Sequence, residues 1–526
     1  MTATEDNFAT LVQGLLDPAA YPHPVAAVEH RETHISHVLL AGDYAYKIKK
    51  PLDLGFLDFS SAEQRAHYCA EEIRLNGRLA PGIYLDVVAI TGTPEAPRVG
   101  GNGPVLEHAV RMRRFDDRLR LDRELAAGRL ERATIEAVAE RIARFHEDQA
   151  STEVPASEGT PAAVIAPMRE NFAQIRPILA ADDADTAMRL DALADWTEER
   201  AQALQAVLLE RRAAGRVREC HGDMHLGNMV RDGDDIAIFD GIEFSAGLRW
   251  IDVASEIAFL VMDLDHAGAH DLAGRALDTW LAATGDYAAL DVMRFYGVYR
   301  ALVRAKIHAI RAGQQTHRDR AQALADTRAY IELAERYAQA HAPALLLTRG
   351  VSGTGKSTAA AVLVERIGAI RLRSDVERLR LYPDALPEIR YSEAANDAVH
   401  ARLESLAASA LAAGWPVVAD ATFIEHRRRA PFLELAQRLD VPARILDLQL
   451  PRAERDARIR ARAAVGRDPS EADPDVAAAQ ERHMDALTDT EAEMAVAVSN
   501  EGATPIVPAT GLAHGRGFGR DEAGDE

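Results

Sequence analysis

The run Gly350-Val351-Ser352-Gly353-Thr354-Gly355-Lys356-Ser357 constrains this chain more than any other stretch of it. An apolar segment, Ala344 to Thr348, leads into it, and Thr358 to Arg366 reads as a helix beyond it. Strand, glycine-rich loop and helix in that order make a phosphate cradle. Glycines let the backbone come close, and its N–H groups wrap phosphate oxygens. The pattern predicts an α/β fold with a parallel sheet. It places Gly350, Gly353, Gly355, Lys356, Ser357 and Thr358 around a nucleotide. Lys356 would neutralise the β/γ phosphates, and Ser357 would ligate Mg2+.

Further along, Trp415 to Asp420 reads as a buried strand ending on a carboxylate, and Asp420 would orient Mg2+ through water. Ala369 to Asp375 reads as a second strand that ends on an acid. An acid at that strand end resembles the small P-loop kinases, in which the position sets a carboxylate against the acceptor hydroxyl. This implies Asp375 as the candidate base, and Arg378, one turn on, could hold an anionic part of that acceptor. Arg455, Arg458 and Arg462 fall at i, i+3 and i+7 and share a helix face. Such a face can close over a transferring phosphate; it can equally be a solvated basic helix paired with its own Glu454 and Asp456. Arg467, beside the break at Asp468-Pro469-Ser470-Glu471, is a further lid candidate.

The first half carries a different solution to the same chemical problem. Phosphoryl transfer needs cations on the phosphates and a carboxylate facing the attacking hydroxyl. His221-Gly222-Asp223-Met224-His225-Leu226-Gly227-Asn228 has the Asp-to-Asn spacing of a kinase catalytic loop. Asp223 then acts as base, and Asn228 offers oxygen to a metal ion. Twelve residues beyond the Asn comes Asp240-Gly241, at the end of the apolar strand Ile236 to Phe239, and Asp240 is the second metal ligand. Upstream, Lys47 lies on a strand of a predicted hairpin, Thr33 to Lys50, and would reach the phosphates. Alternation puts Lys49 on the same side, so Lys49 is its rival. Glu72, or its neighbour Glu71, would pair with that lysine. His225 reads as a hydrogen-bonding residue, and Glu243 as an exposed acid or, alternatively, a further metal contact. No Gly-x-Gly-x-x-Gly precedes Lys47.

The His-Gly-Asp-x-His-x-x-Asn form of this loop resembles the aminoglycoside phosphotransferase family, a branch of the kinase-like fold that phosphorylates small molecules. The resemblance covers about residues 25 to 335. It makes Arg249-Trp250-Ile251-Asp252-Val253 the family's next landmark, with Asp252 bracing the catalytic loop. The second half resembles the small P-loop kinases grouped with zeta toxins, gluconate kinase and chloramphenicol phosphotransferase, over about residues 344 to 495. Together they imply a protein-kinase-like α+β domain, a small sheet lobe plus a helical lobe, followed by an α/β P-loop domain. The expected spans are 1–342 and 343–498, with a disordered tail at 499–526 rich in Gly, Pro and acids. The Arg111 to Arg114 segment, after a strand, would be the hinge bordering adenine.

The expected activity is transfer of the γ-phosphate of ATP to hydroxyl groups of small molecules at two independent Mg2+–ATP sites. The alternative is an ATP-binding regulator with a silent pseudokinase in its first half. Bulk properties agree with either. At 526 residues the chain is too long for one core. A formal charge of −21 argues against a nucleic-acid partner, which would want a basic stripe. Two cysteines exclude a disulfide framework. Met1 to Thr10 has no apolar core of the signal-peptide kind, and the apolar stretch Ile257 to Met262 is too short to span a bilayer. A cytoplasmic protein without a membrane partner is the expectation.

Overall fold

The computed structural model describes residues 3–53, 57–314, 317–339, 342–465, 473–498 and 500. The expected tail, Asn500 apart, and Arg467 lie outside the described residues, as does the side chain of Arg462. The chain divides into two compact units. One comprises 1–134, 144–167 and 208–260, the other 135–143, 168–207 and 261 onward.

The first unit is built on a six-stranded antiparallel sheet: β1 (Val28–Glu32), β2 (Ser36–Ala41), β3 (Tyr44–Lys49), β4 (Tyr84–Thr93), β5 (Ala96–Val99) and β6 (Val105–Arg113). Their order is β1-β2-β3-β6-β4-β5. The predicted hairpin is β2–β3, turning at Gly42-Asp43 with Ala41 opposite Tyr44. Leu39, Tyr46, Ile48, Ile90 and Ala109 form one core of the sheet with Leu11 of the N-terminal helix Ala3–Gly14 and Leu15 just beyond it. Ser61 and Gln64 close a capping box at the start of the helix Ala62–Asn76. That helix buries Cys69 against Ile83 and Val110.

Two short ribbons complete this unit. β7 (Val217–Glu219) pairs antiparallel with β10 (Trp250–Asp252), and β8 (Met229–Asp232) pairs with β9 (Asp235–Ile238). The β8–β9 turn falls at Gly233, in the left-handed region at φ 64°.

The second unit contains five parallel strands: β11 (Leu345–Arg349), β12 (Ile370–Arg373), β13 (Val417–Asp420), β14 (Ala443–Leu448) and β15 (Ala495–Val498). Their order, β12-β13-β11-β14-β15, puts the strand leading into the glycine-rich loop at the centre. Leu346, Val418 and Leu446 pack against Ala359, Ala360 and Leu363 of the helix Lys356–Ile367. The sheet is therefore apolar on that face because a helix covers it. β12 stops at Arg373, so Asp375 stands in the first turn of the helix Ser374–Leu381 rather than at a strand end. An acid there is favoured by the helix dipole.

Within this unit the helix His270–Thr284 packs on the helix Lys356–Ile367, and Arg371 of β12 reaches Asp278 at 2.6 Å. Both side chains are almost wholly buried. Among the described residues no helix is long and apolar enough to cross a membrane.

Arg371→Met would leave Asp278 buried without its cation. It should cost about 3–5 kcal/mol, and Arg371→Met/Asp278→Leu should recover most of that. Urea unfolding followed by the buried Trp280 and Trp415 reads this out. A double variant as unstable as the single one would contradict the pairing.

Candidate active sites

In the first unit the catalytic loop is held by its backbone. Glu256, on the helix Val253–His266, accepts from His221 N at 2.8 Å and from Gly222 N at 2.7 Å. Its other oxygen lies 3.0 Å from His146 Nε2. Burial works to raise the Glu256 pKa, but hydrogen bonding with His146 and these further bonds override it and keep the carboxylate ionised. The expected brace, Asp252, instead clasps Arg211 through both oxygens, at 2.7 and 2.8 Å, and caps Ala254 N at 2.9 Å. The carboxylate one turn further along takes the loop's two amides. The sequence signal for it is an acid standing directly before the apolar run Ile257 to Met262.

His221 Nδ1 accepts from Asp223 N at 3.3 Å, so its Nε2 donates to Phe239 O at 3.0 Å. Asn228 Nδ2 donates to the Asp223 main-chain and side-chain oxygens, both at 3.0 Å. His225 Nδ1 accepts from Gly227 N at 3.1 Å, the hydrogen-bonding role read from sequence. The β8–β9 ribbon sets Met229 opposite Ile238, and Phe239 N donates to Asn228 O at 2.9 Å. That register carries Asp240 to the loop although twelve residues separate it from Asn228. Asp240 has φ 63°, a left-handed conformation costly for a non-glycine residue. Its N–H donates to the Tyr84 hydroxyl at 3.1 Å, and Gly241 N donates to Asn76 Oδ1 at 2.8 Å. Tyr84 and Asn76 carry no motif and were invisible in the sequence.

Opposite stands a cluster of buried charge. Glu72 lies 2.8 Å from Lys47 through one oxygen and 2.6 Å from Lys49 through the other. Burial pushes the Glu72 pKa up, but the two ammonium groups outweigh it and hold the carboxyl at about 2. Glu71 turns away to Arg74, 2.8 Å off. Lys49 is fully buried between Glu72 and Glu243 and lies 4.9 Å from the centre of the Phe59 ring. Glu243, expected as an exposed acid, is buried because it neutralises Lys49. Lys47 points the other way from Glu72, to Asp240 at 2.5 Å. The β1–β2 connection, where a glycine-rich lid would lie, is a tight turn in which Thr33 Oγ1 accepts from Ser36 N at 3.0 Å. Arg111 and Arg113, in the expected hinge, pair with Asp86 at 2.6 Å and Asp232 at 2.7 Å.

In the second unit a cavity of about 1030 Å³ gathers most of the residues singled out there. Gly353, Gly355, Lys356, Ser357 and Thr358 line it on one side, and Asp375, Arg378 and Asp420 on the other. Gly353 and Gly355 sit at φ 87° and 89°. A Cβ on Gly353 would come within 2.8 Å of Ile459, and one on Gly355 within 1.8 Å of Asn500. Gly350, at φ 151°, would place a Cβ 2.6 Å from Leu448 O. Lys356 Nζ donates to Val351 O at 2.9 Å, and Ser352 N donates to Gln480 Oε1 at 2.8 Å.

β12 and β13 set Arg373 opposite Asp420, which brings the two acidic chain segments side by side. Burial raises the Asp375 pKa, and the Asp420 charge adds to this. Asp420 Oδ2 is buried with no hydrogen-bond partner among the described residues.

Of the three arginines of the expected lid, Arg455 and Arg458 are described, and they differ in their contacts. Arg455 is buried, 3.1 Å from Glu481, with its stem on Gly353. Arg458 lines the cavity and donates to Asn500 O at 2.7 Å. Gln480 and Asn500 had no signal in the sequence.

Two family models match the chain, the first across parts of both compact units and the second within the second unit. Residues 61–296 match the phosphotransferase enzyme family, and residues 345–487 match an AAA domain family. The chain belongs to a family in which a phosphotransferase-enzyme domain and a P-loop domain share one polypeptide, and it is a kinase-type phosphotransferase. Uncharacterized proteins of Mycobacterium tuberculosis and Mycobacterium bovis are 32% identical to it over 425 residues, 79% of this chain and 82% of theirs. Among solved structures, a choline kinase from Cryptosporidium parvum aligns at TM-score 0.39 and 10% identity, covering 62% of this chain and 95% of its own. Aminoglycoside 2′-phosphotransferase-IIIa aligns at TM-score 0.37 and 14% identity, covering 64% and 98%. A gluconokinase from Sinorhizobium meliloti aligns at TM-score 0.23 and 19% identity, covering 30% and 82%.

The two lysines should separate cleanly. Lys49→Met strands Glu243 beside Glu72 and should lose roughly 3 kcal/mol or more of stability. Lys47→Met leaves Glu72 paired with Lys49 and should lose less than half of that. Urea midpoints decide it, and the reverse ranking would show that Lys47 is the structural cation.

Proposed function

We propose that the protein is a bifunctional small-molecule kinase with one ATP site in each half, divided near residue 342. In the first half Asp223 accepts the proton of the acceptor hydroxyl, and Lys47, oriented by Glu72, binds phosphate. In the second half Lys356 and the glycine loop bind the triphosphate, Asp375 is the base, and Arg458 borders the nucleotide. The reading rests on one observation made twice. In each half a carboxylate base, a phosphate-binding lysine and a further carboxylate come to a single place from distant parts of the chain.

The donor sets suit Mg2+, a hard cation that takes oxygen ligands. Asn228 commits its amide nitrogen to Asp223, which leaves its oxygen for a metal beside Asp240. The orphaned Asp420 oxygen and Ser357 offer the same in the second half. When bound, Mg2+ would neutralise phosphate charge. The residues of the chain orient the hydroxyl and take its proton.

The test is transfer of label from γ-labelled ATP into a deproteinised bacterial metabolite extract, comparing wild type, Asp223→Ala and Lys356→Ala. Two labelled products, each lost in one variant, are expected. No product with ATP still bound would sink the kinase reading in favour of a nucleotide-gated regulator.

In the Asp223→Ala background, kcat/KM should fall as pH drops. Asp375 works as a base only when ionised, and its pKa is raised by burial and by Asp420. The acid limb should therefore lie above the ordinary carboxylate range, near 3.9. A rate flat down to about pH 4 would remove Asp375 from that role.

A further inference from the structure

The cavity of the second unit holds a cation to which, among the described residues, no carboxylate is hydrogen-bonded. Arg378 is 6% exposed and follows Asp375 by three residues on the helix Ser374–Leu381, so the two share a face. Its Nη1 donates to Arg390 O at 3.0 Å, and its guanidinium lies 4.8 Å from the centre of the Tyr391 ring. These contacts fix the plane of the group and occupy one corner of it. Nε is buried without an acceptor, and among the described residues neither Nε nor Nη2 has a protein partner.

The Nε/Nη2 edge is the side of the fork that takes an oxyanion through two parallel bonds. Elsewhere in this protein that edge is filled by a carboxylate, at Arg211 with Asp252, at Arg371 with Asp278 and at Arg429 with Glu491. Two other cavity arginines are hydrogen-bonded: Arg428 to Asp397 and Glu393, and Arg458 to Asn500 O. A buried guanidinium with an open edge is costly unless something arrives to pair it.

We propose that the acceptor of the P-loop half is a small hydroxylated oxyanion, a carboxylate or a phosphate ester, whose anionic group docks on Arg378 while its hydroxyl faces Asp375. This rests on the kinase reading of that half. The acceptor O–H bond breaks and its proton goes to Asp375. The acceptor oxygen bonds to the γ-phosphorus of ATP, the bond from that phosphorus to the β-phosphate oxygen breaks, and ADP leaves. Asp375 then releases the proton to water. A neutral polyol would leave Arg378 unpaired in the closed cavity, so the site selects against it as well as for an anion.

The experiment uses the full chain carrying Asp223→Ala, so that only the second site transfers label. A metabolite extract is split on an anion exchanger into retained and unretained acceptors, and each fraction is incubated with γ-labelled ATP. Lys356-dependent label is expected in the retained fraction. It should fall at least tenfold on adding Arg378→Gln, and by less with Arg378→Lys, which keeps charge but loses the fork. Nucleotide binding, read with a fluorescent ATP analogue, should be unchanged in both. If Arg378→Gln fails to bind it, the Lys variant carries the comparison.

Treating the retained fraction with phosphatase, then removing the enzyme, identifies the anion. Loss of the acceptor assigns a phosphate ester, and survival assigns a carboxylate. Label in the unretained fraction alone, or undiminished label without Arg378, would overturn the proposal and leave the kinase reading standing. No Lys356-dependent label in either fraction, with nucleotide still bound, would overturn both.

Discussion

Glu72 is the carboxylate on which the first unit turns. It has no exposure, and it sits between two ammonium groups that would each be prohibitively costly to bury alone. One of them, Lys49, is tied further into the interior by Glu243; the other, Lys47, is held toward Asp240. A single side chain therefore does two things. It makes a strand pair of lysines compatible with a packed sheet, and it aims one of them at the acidic end of β9. The capping box at Ser61 and Gln64 fixes the start of the helix that delivers Glu72.

The same economy governs the catalytic loop. Two of its amides close on Glu256, whose second oxygen meets His146, so the loop's path is set by a helix that follows it in sequence. Asp240 accepts a left-handed backbone because Tyr84 and Asn76 take the N–H groups around it. Such strain is tolerated where neighbours over-determine it. In the second unit the equivalent constraint is backbone close approach. Gly353 and Gly355 are pressed by Ile459 and Asn500, so the loop is shaped from outside as well as by its own glycines.

Where the two motifs lie was legible because both depend on short spacings. Gly350 to Ser357 must form a cradle after a strand, and Asp223 to Asn228 lie on one loop. Lys47 and Lys49 could be placed on one face by alternation, but not told apart. Both are buried, and which one is tied to a second interior carboxylate depends on Glu243, a residue nearly two hundred positions away. The error at Glu243 has the same origin, since an acid looks exposed until its cation is known. The loop amides of His221 and Gly222 meet Glu256, four residues beyond Asp252, and which acid meets them depends on helix phase relative to the loop, a tertiary quantity.

What the sequence determined by itself was local: strand, loop and helix around Lys356, the base-to-Asn spacing at Asp223, and the acids at Asp240, Asp375 and Asp420. Only the tertiary structure decided their partners. Glu256 became the brace, Arg455 went into the interior, and Arg378 kept an open edge in a shared cavity. The physical reason is that motif geometry is fixed by bonds along the chain. The state of a charge, paired or waiting for a ligand, is fixed by groups that only folding brings near.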